Sequence, residues 1–239
     1  MTADLLEPLA LGTRVGIIDD DPLDAITSEQ QVRLLRWSPV RVSLDGAPSV
    51  DEAITRIQQL ECSALLCDHR LHAGYQVEFS GAELACRANS LGMPAVVLTT
   101  FAATDQATTI RRWRHGVPCV LDKSTASTPD VIGSAFAATN AELLGHQPRS
   151  RIGYRTVVRV VGVRLDANYP TAEVIVTAWR PSTAVVIPLA LLPLDGSHEP
   201  EDLVGRRFMG KVNYYAREAD ELFFADLEPA TPVPANWMR

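Results

Sequence analysis

The stretch Ala64–Asp68 constrains the fold of this chain more than any other part of the sequence. It is a short apolar run that is bounded by polar residues and ends in one carboxylate. Because such a run is too short for an independent helix, it predicts a buried strand of a parallel sheet. Open α/β sheets bind their ligands at the carboxyl ends of the strands, so Asp68 is predicted to lie at a ligand site.

Three other apolar runs also end in polar side chains. They are Val15–Ile18, followed by Asp19, Asp20 and Asp21; Val96–Leu98, followed by Thr99 and Thr100; and Cys119–Leu121, followed by Asp122 and Lys123. If all four runs are parallel strands, then acids, a hydroxyl and an amine meet at one edge of one sheet.

Helical patterns separate these strands. Ser49 and Ser80 each open a capping box, Pro39 is predicted to end the first helix, and Pro129 suits the first turn of the last one. The predicted helices are Leu23–Trp37, the segments after Ser49 and Ser80, Asp105–His115 and Pro129–Leu144; the predicted strands are Arg14–Asp19, Val40–Leu44, Ala64–Asp68, Ala95–Thr99 and Pro118–Leu121. Five alternations of strand and helix predict an α/β fold with a doubly wound, five-stranded parallel sheet.

The pattern changes after Gly145. Short apolar segments separated by turn residues predict five strands, with one helical turn near Glu199–Val204. The strands are Val157–Leu165, Glu173–Trp179, Thr183–Leu189, Arg207–Tyr215 and Leu222–Leu227. We therefore predict a first domain at 1–145, a polar linker at 146–153, and a small all-β, barrel-like domain at 154–239.

Composition and charge exclude several classes of protein. The chain is 46% hydrophobic, and its net charge of −7 lies entirely in residues 1–148, because residues 149–239 hold 11 basic and 11 acidic side chains. Neither part is basic enough for non-specific binding of nucleic acid to dominate. The sequence shows no membrane span, no secretory signal and no CxxC pair among its cysteines. A cytoplasmic protein with reduced thiols is expected.

The four strand ends carry complementary chemistry. Asp19, Asp20 and Asp68 would repel one another unless a cation neutralised them, and Mg²⁺ prefers a few carboxylates, a carbonyl and waters. Lys123 and Thr99 could each hold a phosphoryl oxygen. Asp68 could then act as a nucleophile and form an acyl phosphate.

Over residues 13–145 the chain resembles the receiver domain of two-component response regulators. The motifs that carry the resemblance are Ile17–Pro22, Leu65–Asp68, Val97–Thr99 and Leu121–Lys123. The resemblance implies a flavodoxin-like fold and phosphorylation by a histidine kinase or a phosphotransfer protein. It also implies a possible homodimer through the fourth helix, the fifth strand and the fifth helix.

The resemblance implies a role for each site residue. Asp68 would be the phosphoacceptor; Asp19, Asp20, Asp68 and the backbone carbonyl of Arg70 would bind Mg²⁺; Thr99 and Lys123 would contact the phosphoryl group. The chain departs from the family pattern at Val120, where an aromatic residue is frequent, and at Ser124, where proline is frequent. The loop His69–Phe79 is several residues longer than usual. It could be a lid or a partner-contacting loop beside the acyl phosphate, or a solvated insertion.

The second domain carries weaker signals. Arg151–Arg155 matches the RxxxR that opens PilZ-type cyclic-dinucleotide binders, but the second PilZ element is missing, and Asp195–Pro200 does not supply it. Arg206, Arg207, Lys211, Tyr214 and Tyr215 could offer a basic and aromatic face to single-stranded nucleic acid. The nearby acids and the absence of net charge argue against that interpretation.

These features predict a signalling protein in which the β-rich domain passes the signal from phosphorylated Asp68 to an unknown protein partner. No nucleophile–histidine set of a catalytic triad is visible in residues 149–239, so an enzymatic output is not expected beyond phosphorylation and dephosphorylation of Asp68. Two alternatives stay open: a nucleic-acid-binding regulator that acts through the barrel, and a receiver scaffold that works without phosphorylation.

Overall fold

A computed structural model describes residues 9–101, 105, 108–165, 169–194 and 200–231 of the chain. The chain packs into two compact units. The first consists of residues 1–105 and 113–148, and the second of residues 106–112 and 149–239. Among the described residues, no helix is both long and apolar enough to cross a membrane.

The first unit contains a five-stranded parallel sheet. Its strands are β1 (Arg14–Ile18), β2 (Ser38–Arg41), β3 (Ala64–Asp68), β4 (Ala95–Thr99) and β5 (Val120–Asp122), in the spatial order β2-β1-β3-β4-β5. This order is that of the doubly wound, flavodoxin-like fold, to which receiver domains also belong. The predicted fold class of the first unit is confirmed.

Among the described residues, five helices accompany this sheet. They are α1 (Pro22–Leu34), α2 (Val50–Gln59), α3 (His72–Tyr75), α4 (Gly81–Ser90) and α5 (Pro129–Leu143). The predicted caps are present, because Ser49 and Ser80 accept hydrogen bonds from the backbone N–H groups of Glu52 and Glu83. One core cluster of the unit includes β1, β3, β4 and the buried Trp37 and Phe136, whose rings meet edge to face at 5.4 Å.

Three predictions about these elements are wrong. The first helix ends before Pro39 because the chain reverses at Arg36, whose φ of 60° lies in the left-handed region. The second strand therefore begins at Ser38 and includes Pro39, which an edge strand tolerates. The same strand ends at Arg41, although its predicted end is Leu44.

The fourth helix also differs from its prediction of Asp105–His115. Residues 108–113 form turns, and Arg114–Gly116 form one turn of 3-10 helix; residues 106 and 107 lie outside the described residues. Most of this stretch belongs to the second unit. Ile110 and Arg111 in this stretch are buried, at 0% and 2% exposed.

The second unit contains a five-stranded antiparallel sheet. Its strands are β6 (Tyr154–Arg164), β7 (Thr171–Val176), β8 (Ala184–Pro188), β9 (Arg207–Val212) and β10 (Phe224–Pro229), in the order β10-β9-β6-β7-β8. All five predicted strands are present, and Pro200–Leu203 form the predicted single turn. The apolar residues of alternating positions in β6 to β9 form one core with Leu222 and Phe224.

Arg111 is part of this second unit. Its Nη1 donates hydrogen bonds to the backbone carbonyls of Ala219 at 2.9 Å and Leu222 at 2.8 Å, and its guanidinium lies 5.9 Å from the centre of the Phe224 ring. Burial lowers the pKa of Arg111 to about 10, although Asp220 raises it. The side chain therefore stays charged at neutral pH and fixes residues 108–112 within the unit.

Candidate functional site

The parallel register of the first unit brings the predicted site residues to one edge of the sheet. Asp68 lies beside Leu98 of β4, and Thr99 lies beside Asp122 of β5, directly before Lys123. Asp19 follows the last residue of β1, which pairs with Cys67. The polar residues gather here because the strands run in one direction and each stops at its first polar residue.

Lys123 is the centre of the site. Its Nζ lies 2.9 Å from Asp19 Oδ2, 2.8 Å from Asp68 Oδ1 and 2.7 Å from Asp24 Oδ2. Burial alone would lower the pKa of the ammonium group, but the hydrogen bonds to the three carboxylates outweigh burial and raise it. Lys123 is therefore a fixed positive charge over the whole neutral range.

Asp68 is 5% exposed, and its surroundings change its affinity for a proton. Its Oδ2 accepts a hydrogen bond of 2.6 Å from the backbone N–H of Arg70. Burial raises the pKa of Asp68 to about 6, and the nearby charge of Asp19 adds to this, whereas Lys123 and the Arg70 amide lower it. Burial also raises the pKa of Asp19. Lys123 thus does not fully neutralise the charges of these two carboxylates.

Thr99 faces a partner that the sequence did not reveal. Its hydroxyl donates a hydrogen bond of 2.6 Å to Asp105 Oδ2, and it accepts one from the backbone N–H of Phe101. Arg70 also donates two hydrogen bonds to the same carboxylate. Its Nη2 lies 2.7 Å from Asp105 Oδ1, and its Nε lies 3.2 Å from Oδ2. Thr99 and Asp105 are 1% and 3% exposed.

The long loop after β3 is not a solvated insertion. Leu71, Val77 and Phe79 are buried, and the short helix α3 lies between them. The backbone N–H of Gly74 donates to Asp20 Oδ2 at 3.0 Å, and the Tyr75 hydroxyl donates to the backbone carbonyl of Asp19 at 2.8 Å.

The loop therefore packs against the predicted metal ligands. A Cβ on Gly74 would lie 2.4 Å from the Cβ of Asp20, which explains why this close approach needs glycine. Burial and the neighbouring Asp19 raise the pKa of Tyr75 to about 12, so its hydroxyl remains a donor.

The donor types at this edge suit Mg²⁺, although their present arrangement does not form a complete ligand set. Asp19 and Asp68 share one lysine with Asp24, so the cluster has room for more positive charge. Asp20 turns toward Gly74 instead of toward these carboxylates. Within the described part of the chain, no group of three or more His, Cys, Asp or Glu side chains is arranged to hold a metal ion.

Sequence reasoning missed Asp24, Tyr75 and Asp105. Asp24 could have been noticed, because it lies in the first turn of the helix that follows the Asp19 cluster. No sequence signal marks Asp105 or Tyr75, because a single polar residue reveals nothing about a partner that is distant in the chain.

The carboxyl end of β3 packs closely against Gly81, the first residue of α4. A Cβ at this position would lie 1.8 Å from the backbone oxygen of Asp68 and 2.9 Å from Cys67 Sγ. Gly81→Ala is therefore expected to cost about 3 kcal/mol of unfolding free energy and to shift Asp68, since overpacking against backbone is not easily relieved. The matched control is Gly133→Ala, where the near atom is the flexible end of Leu35 at 3.2 Å. Urea denaturation of both variants checks this, and equal stabilities would contradict it.

In the second unit, the basic and aromatic residues that were considered for binding single-stranded nucleic acid do not all lie together. Tyr214 and Tyr215 follow the end of β9 and form a ring cluster with Tyr154, whereas Arg207 begins that strand. Lys211 pairs with Asp226 at 2.9 Å. The predicted nucleic-acid face is therefore not one continuous patch.

The two arginines of the RxxxR segment in the second unit also lie in different surroundings. Arg151 is 7% exposed, and its guanidinium lies 5.4 Å from the centre of the Phe223 ring. Arg155 is exposed and pairs with Glu228. The segment Asp195–Pro200, which does not match the second PilZ element, lies outside the described residues except for Pro200.

No protein-family model and no curated protein matches this chain. Among solved structures, it is similar to the anti-anti-sigma factor PhyR from Bartonella quintana, with 23% identity and a TM-score of 0.40 over 54% of this chain and 48% of that one. It is also similar to the response regulator PhyR from Brucella abortus, with 24% identity and a TM-score of 0.41 over 59% of this chain and 52% of that one.

A third similar structure is the CheY-like receiver domain protein from Methanospirillum hungatei, with 19% identity and a TM-score of 0.41 over 57% of this chain and 98% of that one. The match thus spans about half the length of each PhyR protein and nearly all of the isolated receiver. The class of the first unit, a doubly wound, flavodoxin-like α/β fold, rests on its own strand order and topology.

Proposed function

We propose that this protein is a response regulator whose Asp68 accepts a phosphoryl group from a histidine kinase or a phosphotransfer protein. One observation carries the proposal: Lys123 Nζ lies within 2.9 Å of both Asp68 and Asp19 at the carboxyl edge of a five-stranded parallel sheet. A buried carboxylate beside a fixed ammonium is a suitable nucleophile for phosphoryl transfer.

The phosphoryl transfer to Asp68 forms one bond to phosphorus and breaks another. An oxygen of the ionised Asp68 carboxylate attacks phosphorus, an O–P bond forms, and the N–P bond of the donor phosphohistidine breaks. The leaving imidazole takes up a proton. Lys123 stays in place to neutralise a phosphoryl oxygen, and it does not need to give up its proton.

A bound Mg²⁺ would neutralise charge on the phosphoryl oxygens. Asp19, Asp68 and the backbone carbonyl of Arg70 would hold it, and Asp20 would join them after exchanging the Gly74 amide for the metal or a metal-bound water. The chain's own residues then orient the Asp68 carboxylate, through Lys123 and the Arg70 amide.

We further propose that the second unit passes the signal to a protein partner in the cytoplasm. Its antiparallel sheet, its paired surface charges and the equal numbers of basic and acidic side chains in residues 149–239, 11 of each, favour a protein over nucleic acid. A homodimer of the first unit is a compatible arrangement.

Labelling with acetyl phosphate in the presence of Mg²⁺ tests the proposal. The wild-type chain is expected to gain one phosphoryl group by intact mass, whereas Asp68→Asn gains none. The matched control is Asp51→Asn, which removes a carboxylate whose side chain is 75% exposed. Equal labelling of wild type and Asp68→Asn would refute the assignment, and an absence of label in both would favour a scaffold that works without phosphorylation.

A further inference from the structure

We propose that Asp24 is a positioning residue for the phosphorylation of Asp68: its carboxylate binds Lys123 in the resting protein and is displaced when a phosphoryl group arrives. The inference rests on the proposed function of Asp68. It concerns a different property of the site, which is the affinity for the phosphodonor.

All three protons of the Lys123 ammonium group face carboxylates. An ammonium group can donate three hydrogen bonds, and one oxygen each of Asp19, Asp24 and Asp68 lies within 2.9 Å of Nζ. The contact with Asp24 is the shortest of the three, at 2.7 Å. A phosphoryl oxygen can therefore bind Lys123 only if one of these carboxylates leaves.

The three carboxylates differ in how easily they can leave Lys123. The side chains of Asp19 and Asp68 are 2% and 6% exposed, whereas the side chain of Asp24 is 46% exposed. A buried carboxylate that loses its cation has little water to replace it, and the loss is strongly unfavourable. A half-exposed carboxylate is solvated as it leaves. Asp24 is therefore the partner that Lys123 can exchange.

The first turn of α1 holds Asp24 beside Lys123 and leaves it room to move. The backbone N–H of Asp24 donates to Oδ1 of Asp21, the N-cap residue, at 3.3 Å. A cavity of about 40 Å³ adjoins the Asp24 side chain, and its lining includes Lys123, Thr27 and Ser28. This volume is enough for water. The displaced carboxylate can therefore be hydrated without a movement of the helix.

Charge favours the exchange of Asp24 for the phosphoryl group. A phosphoryl group carries a charge of about −1.5 to −2 on three strong acceptor oxygens, more than the single charge of a carboxylate. It also repels Asp24, because like charges at this distance disfavour each other. Burial alone would lower the pKa of Lys123, but its carboxylate partners raise it, so the ammonium group is charged when the phosphodonor arrives.

Asp24 therefore acts on the binding of the phosphodonor and not on the chemical step. Its carboxylate leaves Lys123 before the phosphoryl oxygen binds, so it is absent from both the bound ground state and the transition state. Removing such a competitor strengthens the binding of both states equally, which lowers KM and leaves kcat unchanged. For a partner as exposed as Asp24, we expect an effect of about three- to fivefold.

The rate of labelling of the full-length chain, measured against the concentration of acetyl phosphate at fixed Mg²⁺, tests the inference. Asp24→Asn is expected to lower the half-saturating concentration about three- to fivefold with an unchanged maximal rate. Asp24→Glu keeps the carboxylate and is expected to stay near the wild type. The matched control is Asp21→Asn, which removes an exposed charge three positions away, while asparagine caps a helix as well as aspartate does. It is expected to leave both parameters unchanged.

Binding of inorganic phosphate provides a second measurement that does not need the acyl phosphate to form. An NMR titration of the full-length chain with inorganic phosphate and Mg²⁺ reports the affinity of the site for a phosphoryl-like anion. Asp24→Asn is expected to bind phosphate about three- to fivefold more tightly than the wild type. Asp21→Asn is expected to bind it as the wild type does.

Equal half-saturating concentrations in the wild type and Asp24→Asn would overturn the inference and leave the proposed function intact. An effect of Asp21→Asn as large as that of Asp24→Asn would also overturn it, because the cause would then be overall charge. A lower maximal rate in Asp24→Asn would do the same, since a competitor leaves the chemical step unchanged. If the wild type takes no label, the proposed function fails, and the phosphate titration alone decides whether Asp24 competes for Lys123.

Discussion

Lys123→Met is expected to lower the unfolding free energy of the first unit by about 3–5 kcal/mol at pH 8, because it leaves buried carboxylates without their cation. Asp19 and Asp68 are each 5% exposed, and both bind the ammonium within 2.9 Å. The loss should shrink toward pH 5, where Asp68 takes up a proton and no longer needs a counter-ion. Added Mg²⁺ should also restore part of the stability.

The cysteines offer a measurement that reports on the first unit alone. All four lie in the first unit, between Cys62 and Cys119, and Cys62 and Cys67 are buried. Pulse labelling of thiols across a urea series therefore follows the unfolding of that unit. The matched control is Arg87→Met in the same unit, whose partner Asp51 is 75% exposed, so its loss should cost less than about 1 kcal/mol. Equal losses in the two variants would contradict the account.

Asp68→Asn is expected to become more stable, relative to the wild type, as the pH rises from 4 to 7 in a metal-free buffer. Burial raises the pKa of Asp68 to about 6 in the folded protein, so the folded state holds its proton more tightly than the unfolded state. Ionisation of Asp68 therefore removes stability between the ordinary and the raised pKa. Asparagine cannot ionise, and the difference should grow by about 3 kcal/mol over this window, at about 1.4 kcal/mol per pKa unit.

The same thiol-labelling series, in EDTA at several pH values, measures this difference. Asp51→Asn is the control, since its carboxylate is 75% exposed and carries no burial penalty. A difference that stays constant from pH 4 to 7, or that falls, would contradict a raised pKa at Asp68.

The sequence predicted the edge of the sheet well because strand ends are local signals. An apolar run followed by a polar residue marks both the strand and its end, and parallel strands bring such ends together without further information. Asp19, Asp68, Thr99 and Lys123 were therefore predictable as neighbours. The caps at Ser49 and Ser80 were predictable for the same reason, since each depends on residues three positions apart.

The contacts of Asp105 and Gly74 were not predictable, because they join residues that are distant in the chain. Arg70 reaches Asp105 across 35 positions, and Gly74 reaches Asp20 across 54. The predicted helix Asp105–His115 fails over the described residues 108–115 for a related reason. Its apolar spacing is helical, but burial of Arg111 against Ala219 and Leu222 in the second unit decides its conformation. Tertiary packing overrides local propensity in such a segment.

The most direct test of the central claim is to identify the residue that carries the label. An acyl phosphate on aspartate can be reduced by borohydride, which converts that aspartate to homoserine and marks its position for peptide mass analysis. After treatment with acetyl phosphate and Mg²⁺, we expect homoserine at position 68. Homoserine at another aspartate, or none in a protein that carries the phosphoryl mass, would contradict the assignment of Asp68 as the phosphoacceptor.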